Sequence, residues 1–242
     1  MSDGASQTRD DRGRRRFWRR HALLPAIAFA AVLAIVLAGD LDLRIADALF
    51  FNQSTSEWIG AYTWWAYDLI HTGGSAFIRL VGIGALVTLA LGFWLPDWRR
   101  YRRAAAYLAL GLMLVPTMVA TLKQVTNVDC PWDLDRYGGE RPYVRLLADR
   151  PDELPRGKCF PGSHSSSGFA LMAFYFAVRD RRPRCARWLL AGAVLIGTVF
   201  SFGQQARGAH FISHDLTSAA IAWFLLLILW RLMLDPDRQK KS

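Results

Sequence analysis

Residues 204–234 read QQARGAHFISHDLTSAAIAWFLLLILWRLML. The first third is polar and carries Arg207, His210, His214 and Asp215; from residue 216 onward the stretch is almost wholly apolar. About 20 apolar residues make a helix long enough to cross ~30 Å of hydrocarbon. The stretch therefore reads as a membrane helix with titratable side chains at its start. Ionisable groups at that depth point to function by default, because burying them beside lipid is costly.

Five further apolar runs lie upstream, at 22–38, 75–95, 104–122, 165–178 and 188–202. The runs at 165–178 and 188–202 are short and need the polar turns beside them to complete a span. Polar backbone at that depth is tolerated only where protein or water surrounds it. The expectation is an all-α integral membrane bundle of six transmembrane helices, with an amphipathic segment on its outer face. The organisation is a basic N-terminal tail at 1–21, a membrane domain at 22–234 and a C-terminal tail at 235–242. The first run has a basic flank, and Val36-Leu37-Ala38 before Gly39 loosely resembles a signal cleavage site. Its apolar stretch exceeds a signal core of about 7–15 residues, so it is read as a retained anchor.

The chain carries a net charge of +10, with 52% hydrophobic residues. Its arginines gather in alternate gaps: Arg9 to Arg20, Arg99 to Arg103, Arg179 to Arg187, and Arg231 with Arg238, Lys240 and Lys241. Basic residues prefer cytoplasmic loops, which puts both termini in the cytoplasm. No nucleic-acid-binding pattern accompanies the charge, so no nucleic acid partner is expected. The opposite side then receives 40–74, 124–162 and 204–214. The first is rich in Trp and Tyr, as suits an interfacial segment.

Cys130 and Cys159 fall in the long outer loop, and Cys185 in a cytoplasmic one. Disulfides are permitted outside the cytoplasm. A Cys130–Cys159 bridge would close a loop of about 30 residues; two free thiols are the alternative. His210 and His214 have a helical ligand spacing but no third ligand nearby, so neither metal nor cofactor is expected.

Three clusters stand at outer helix ends. Lys123 precedes a loop with Arg136 and Arg141. Pro161-Gly162-Ser163-His164 opens the fourth run, and Arg207 to Asp215 precedes the sixth. A helix start such as Gly162-Ser163 offers free N–H groups to an anion. His164 beside it is placed to protonate a leaving oxygen. A histidine such as His210 attacks phosphorus when a neighbour orients its other nitrogen, and Asp215 or His214 is that neighbour. Lys123, Arg207 and one loop arginine supply positive charge. Each has a plainer reading: Lys123 snorkelling, Asp215 capping a helix, Ser165 to Ser167 capping or lining a helix start. His21 and His71 are read as structural residues without partners.

These segments resemble the type 2 phosphatidic acid phosphatase superfamily, whose motifs are K-x6-R-P, P-S-G-H and S-R-x5-H-x3-D. The resemblance covers 104–234. Pro161-Gly162-Ser163-His164 matches the second motif with its middle pair inverted, and Gly208 to Ser213 matches the stretch around the third motif's histidine. It implies that His210 is the nucleophile, His164 the general acid, and the substrate a lipid phosphate. Undecaprenyl diphosphate, phosphatidylglycerol phosphate and lipid A phosphates are candidates, met at the periplasmic face of a bacterial inner membrane. Three positions depart. Cys130 stands for the first arginine, so Arg136 or Arg141 is expected to substitute. Gln204 stands for the second, with Arg207 nearby. His214 stands for the aspartate, and Asp215 is favoured in its place. A phosphotransferase and an inactive lipid-binding relative are the alternatives.

Overall fold

The computed structural model describes residues 12–146 and 148–236. Readings that rest on Arg9, Arg238, Lys240 and Lys241 lie outside them.

The described chain is mostly helical. Helix α1 spans Arg12–Ala38 and so absorbs most of the basic stretch assigned above to a tail. Short α2 (Leu41–Ile45) follows, then the strands β1 (Phe51–Asn52) and β2 (Glu57–Trp58). The strands pair antiparallel, Phe51 opposite Trp58, so the outer segment is not purely helical as expected. The bundle continues with α3 (Trp65–Trp94) and α4 (Arg102–Thr126). Helix α5 is a broken element at 163–178, with a 3-10 turn at Ala170–Met172 between two short α-helical pieces. Last come α6 (Pro183–Ala206) and α7 (Ile212–Met233).

Among the described residues, five helices are long and apolar enough to cross a membrane, and α5 is not one of them. These five and the shorter α5 that runs among them fit the expected all-α membrane bundle. Apolar side chains cover the outside: Leu23, Ile35, Leu80 and Ile83 are each more than half exposed. In water that would be costly; against lipid chains it costs nothing. The chain is built as a multi-pass membrane protein.

Polar residues do not stop these helices where the sequence suggested. Lys123 lies within α4, Gln204 and Gln205 within α6, and His214 and Asp215 within α7. The helices extend because those polar groups find one another across the bundle. Between α6 and α7 only 207–211 remain as a connection.

Close backbone approaches bring the elements together. A Cβ on Gly197 would stand 2.2 Å from the Phe169 ring, and one on Gly168 would stand 2.9 Å from the Gly197 Cα. Small residues at such crossings let membrane helices touch backbone to backbone. This contact seats α5 on α6. Tyr107, fully buried, donates its hydroxyl to the Leu226 carbonyl at 3.1 Å and ties α4 to α7.

An apolar cluster caps the end of the bundle that holds the 207–211 connection, where Phe51, Trp58, Tyr137 and Phe211 pack with Leu134 and Ala206. Cys130 and Cys159 are joined in a disulfide across 29 positions and hold this loop to the start of α5. Closing a loop of that size restricts the unfolded chain by about 3–4 kcal/mol. Cys130→Ser is expected to lower the thermal midpoint of the detergent-purified protein. Reductant should produce the same drop in wild type and no further drop in the variant.

Candidate active site

The site forms at one end of the bundle, where α3, α4, α5, α6 and α7 converge. His210 sits in the short connection before α7, and its Nδ1 lies 2.9 Å from Asp215 Oδ1. Asp215 is in the first turn of α7, and its other oxygen accepts a 2.8 Å hydrogen bond from Gln205 Nε2. Both members of the pair are nearly buried, His210 at 5% and Asp215 at 3% exposure. A carboxylate only accepts, so Nδ1 carries the hydrogen, and in the neutral ring Nε2 keeps its lone pair. That is the tautomer a nucleophilic imidazole needs.

Gly162 lies directly against this pair. A Cβ there would stand 2.6 Å from Asp215 Oδ1 and 2.8 Å from His210 Cε1. Its own backbone is pinned: its N–H donates to the His214 carbonyl, and its carbonyl accepts from Ser218 Oγ. Helix α5 starts at the next residue, Ser163. The first amides of any helix have no partner within it and carry partial positive charge. The hydroxyls of Ser165, Ser166 and Ser167 all turn back to carbonyls three residues earlier, so this serine run serves its own helix.

His164 stacks on Phe200 at 4.5 Å between ring centres. Its Nε2 donates to the Ile70 carbonyl at 3.2 Å, which leaves Nδ1 for proton transfer. His164 and His210 are close enough to repel each other when charged, and Arg207 acts on His164 as well. Lys123 acts electrostatically on Asp215 and His214 from α4. The Arg207 guanidinium lies over the Tyr67 ring at 5.0 Å.

Four expectations need correction. Arg136 is tied to Asp47 at 2.5 Å, an exposed pair whose hydrogen bonds hold the Asp47 carboxyl below its usual range. Arg141 is tied to Asp129 at 2.6 Å and lies 3.7 Å from Asp133, while Arg150 takes the other Asp129 oxygen. Both arginines offered as replacements thus have carboxylate partners, Arg141 within its own loop and Arg136 in the segment before β1. His214 is enclosed at 2% exposure between the Phe160 and Phe211 rings and forms part of the wall of the site. His21 and His71 both have partners. His21 bonds the Tyr175 hydroxyl at 2.6 Å, far along the bundle from His210.

His71 belongs to the site. Its ring centre is 4.6 Å from that of His164, and Gln204 Nε2 donates to its Nδ1 at 3.0 Å. Its remaining N–H is then on Nε2. It senses the charges of Arg207 and His210. Asp42 of α2 was also missed. It is buried and accepts both the amide of Ser213 (2.9 Å) and its hydroxyl (2.6 Å) at the start of α7. Burial raises the Asp42 carboxyl above its usual range, and the Ser213 bonds oppose that rise. Its role is to fix the segment that carries His210.

Among the described residues, no three His, Cys, Asp or Glu side chains are grouped to hold a metal ion.

No curated protein and no solved structure matches the chain. The family model of the PAP2 superfamily matches residues 104–238, a region that holds both the His210–Asp215 pair and His164. With more than half its length matched and the family's two histidines gathered at one end of a membrane bundle, the chain belongs to the PAP2 superfamily.

Proposed function

We propose that the protein is a membrane lipid phosphatase that hydrolyses a phosphate monoester or diphosphate through a phosphohistidine. The observation that carries this reading is the buried His210–Asp215–Gln205 relay, which puts the hydrogen of a neutral His210 ring on Nδ1 and its lone pair on Nε2. Nε2 attacks phosphorus, forming an N–P bond as the P–O bond to the lipid breaks. His164, protonated on both nitrogens while the phosphate anion is bound, gives its Nδ1 proton to the departing oxygen. Water then attacks the phosphoryl group and gives its proton to His164, and the N–P bond breaks to release phosphate. Lys123, Arg207 and the first amides of α5 are the groups that neutralise the phosphoryl oxygens.

His71 fills the role of the arginine that the motif places at Gln204. It rests on the Gln204 amide and presents its Nε2 donor next to His164. His71→Ala is expected to lower kcat/KM by about 10- to 100-fold, the size of a lost charge-assisted contact in a desolvated site. His71→Asn keeps a donor and should lose less. Equal losses in the two variants would assign His71 to packing alone.

Sidedness follows from charge. The arginines of the α3–α4 and α5–α6 turns share the end of the bundle opposite His210. Under the preference of basic loops for the cytoplasm, the site faces the periplasm of a bacterial inner membrane and both termini face inward. Undecaprenyl diphosphate, phosphatidylglycerol phosphate and lipid A phosphates are the substrate classes to test. The direct experiment is phosphate release from that panel by purified protein, with and without an acceptor lipid. Release without acceptor marks a hydrolase. Transfer only in the presence of acceptor would make the protein a phosphotransferase instead.

A further inference from the structure

A cavity of about 1030 Å³ lies at the basic end of the bundle, between α3 and α4 on one side and α5 and α6 on the other. Each of these helices also carries a residue of the candidate active site at its other end. Along α5, Ala177 is thirteen positions from His164, which at 1.5 Å per residue is roughly 20 Å. The cavity is therefore a separate place.

Its walls are apolar: Gly84, Ala85, Leu108, Phe174 and Ala177. A Cβ on Gly84 would meet nothing within 4 Å, so the slot is open there. Its mouth is different. Arg100, Arg181 and Arg182 stand there with Trp98 and Tyr101, against one acid, Asp97. Arg100 lies over the Tyr101 ring at 4.8 Å.

Basic residues at a helix end need no ligand to explain them, since they set topology. What they do not explain is an apolar slot that runs inward between helices from beneath the cations. Acyl chains suit the slot, guanidinium groups suit a phosphodiester, and aromatic rings suit the interface between them. We propose that this cleft binds one bilayer phospholipid with an anionic headgroup, drawn from the leaflet on the basic side of the protein. It is independent of the substrate, which meets the imidazoles at the other end.

Cys185 gives the test a probe, because it lines the cavity and is an exposed free thiol. The full-length protein in detergent is titrated with phosphatidylglycerol or with phosphatidylcholine of the same chains. Bound lipid is counted by native mass spectrometry, and maleimide labelling of Cys185 is timed. Phosphatidylglycerol should be retained as one tightly held copy and should slow labelling; phosphatidylcholine should do neither. Gly84→Leu, which fills the slot and keeps every charge, should lose the retained lipid. Arg100→Gln, Arg181→Gln and Arg182→Gln should each weaken retention by roughly fivefold. Phosphate release by these variants reports that they are folded. The proposal fails if Gly84→Leu retains phosphatidylglycerol as wild type does, since the cations would then act as an ordinary surface belt. It also fails if phosphatidylcholine slows labelling equally, or if inorganic phosphate alone protects Cys185.

Discussion

His210→Ala should reduce phosphate release from the best lipid of the panel by at least ~10⁴-fold, the scale of losing a covalent nucleophile. The expectation rests on how completely His210 is prepared. It sits at 5% exposure, its Nδ1 is fixed 2.9 Å from Asp215, and Gln205 holds the other carboxylate oxygen. Nothing else at the site is so arranged: His164 is turned to a backbone carbonyl and His71 to an amide. Asp215→Asn makes the companion test. It leaves the ring in place but removes the group that selects its tautomer, for which a loss of about 10²- to 10⁴-fold is the precedent in comparable relays. The two variants differ in a second readout. Rapid acid- or base-quench with labelled substrate should trap phosphoprotein in wild type, slowly formed phosphoprotein in Asp215→Asn, and none in His210→Ala. Wild-type release from every lipid in the His210→Ala protein would end the phosphohistidine reading. Loss in His210→Ala with full activity in Asp215→Asn would keep the nucleophile and discard the relay.

The parts of this site that the sequence exposes are those whose chemistry is local. Apolar runs announce membrane helices, and His210 and His164 stand in recognisable motif stretches. Helix ends were less legible. Lys123, Gln204 and Asp215 look like loop residues in one dimension, yet they lie inside helices because their partners come from other elements. Arg136 and Arg141 are held by carboxylates, and only one of those pairings is legible in the sequence. Arg141 pairs with Asp129 of its own acid-rich loop, whereas Arg136 is taken by Asp47, about ninety positions upstream, a contact that only the fold creates. His71 lies in an aromatic stretch that reads as an interfacial belt. Its one signal was indirect: a site that has Gln204 where the family has arginine needs another donor, and a titratable residue at the start of α3 is placed to supply it.

Two of the motif departures are a single structural change, and this carries the other large prediction. The family motif has serine at the position of Gly162, and aspartate at the position of His214. In this chain the carboxylate arrives one residue later, on Asp215, and occupies the space beside residue 162: a Cβ there would stand 2.6 Å from its Oδ1. Gly162 has φ −72°, a conformation open to any residue, so its requirement is room and not backbone freedom. Asp215 cannot yield that room cheaply, because both its oxygens are bonded, to His210 and to Gln205. Restoring the family residue with Gly162→Ser should therefore harm this enzyme, displacing the pair by a fraction of an ångström to an ångström and lowering kcat by about 10²-fold. Ser163→Gly, the other half of the inversion, disturbs no side-chain contact of the site and should cost little. Gly162→Ser combined with His214→Asp and Asp215→His moves the carboxylate back to the family position. It should recover part of the lost rate, whereas Gly162→Ser with Asp215→His alone should not. Full activity in the Gly162→Ser single variant would break the proposed coupling and leave the two departures as independent substitutions.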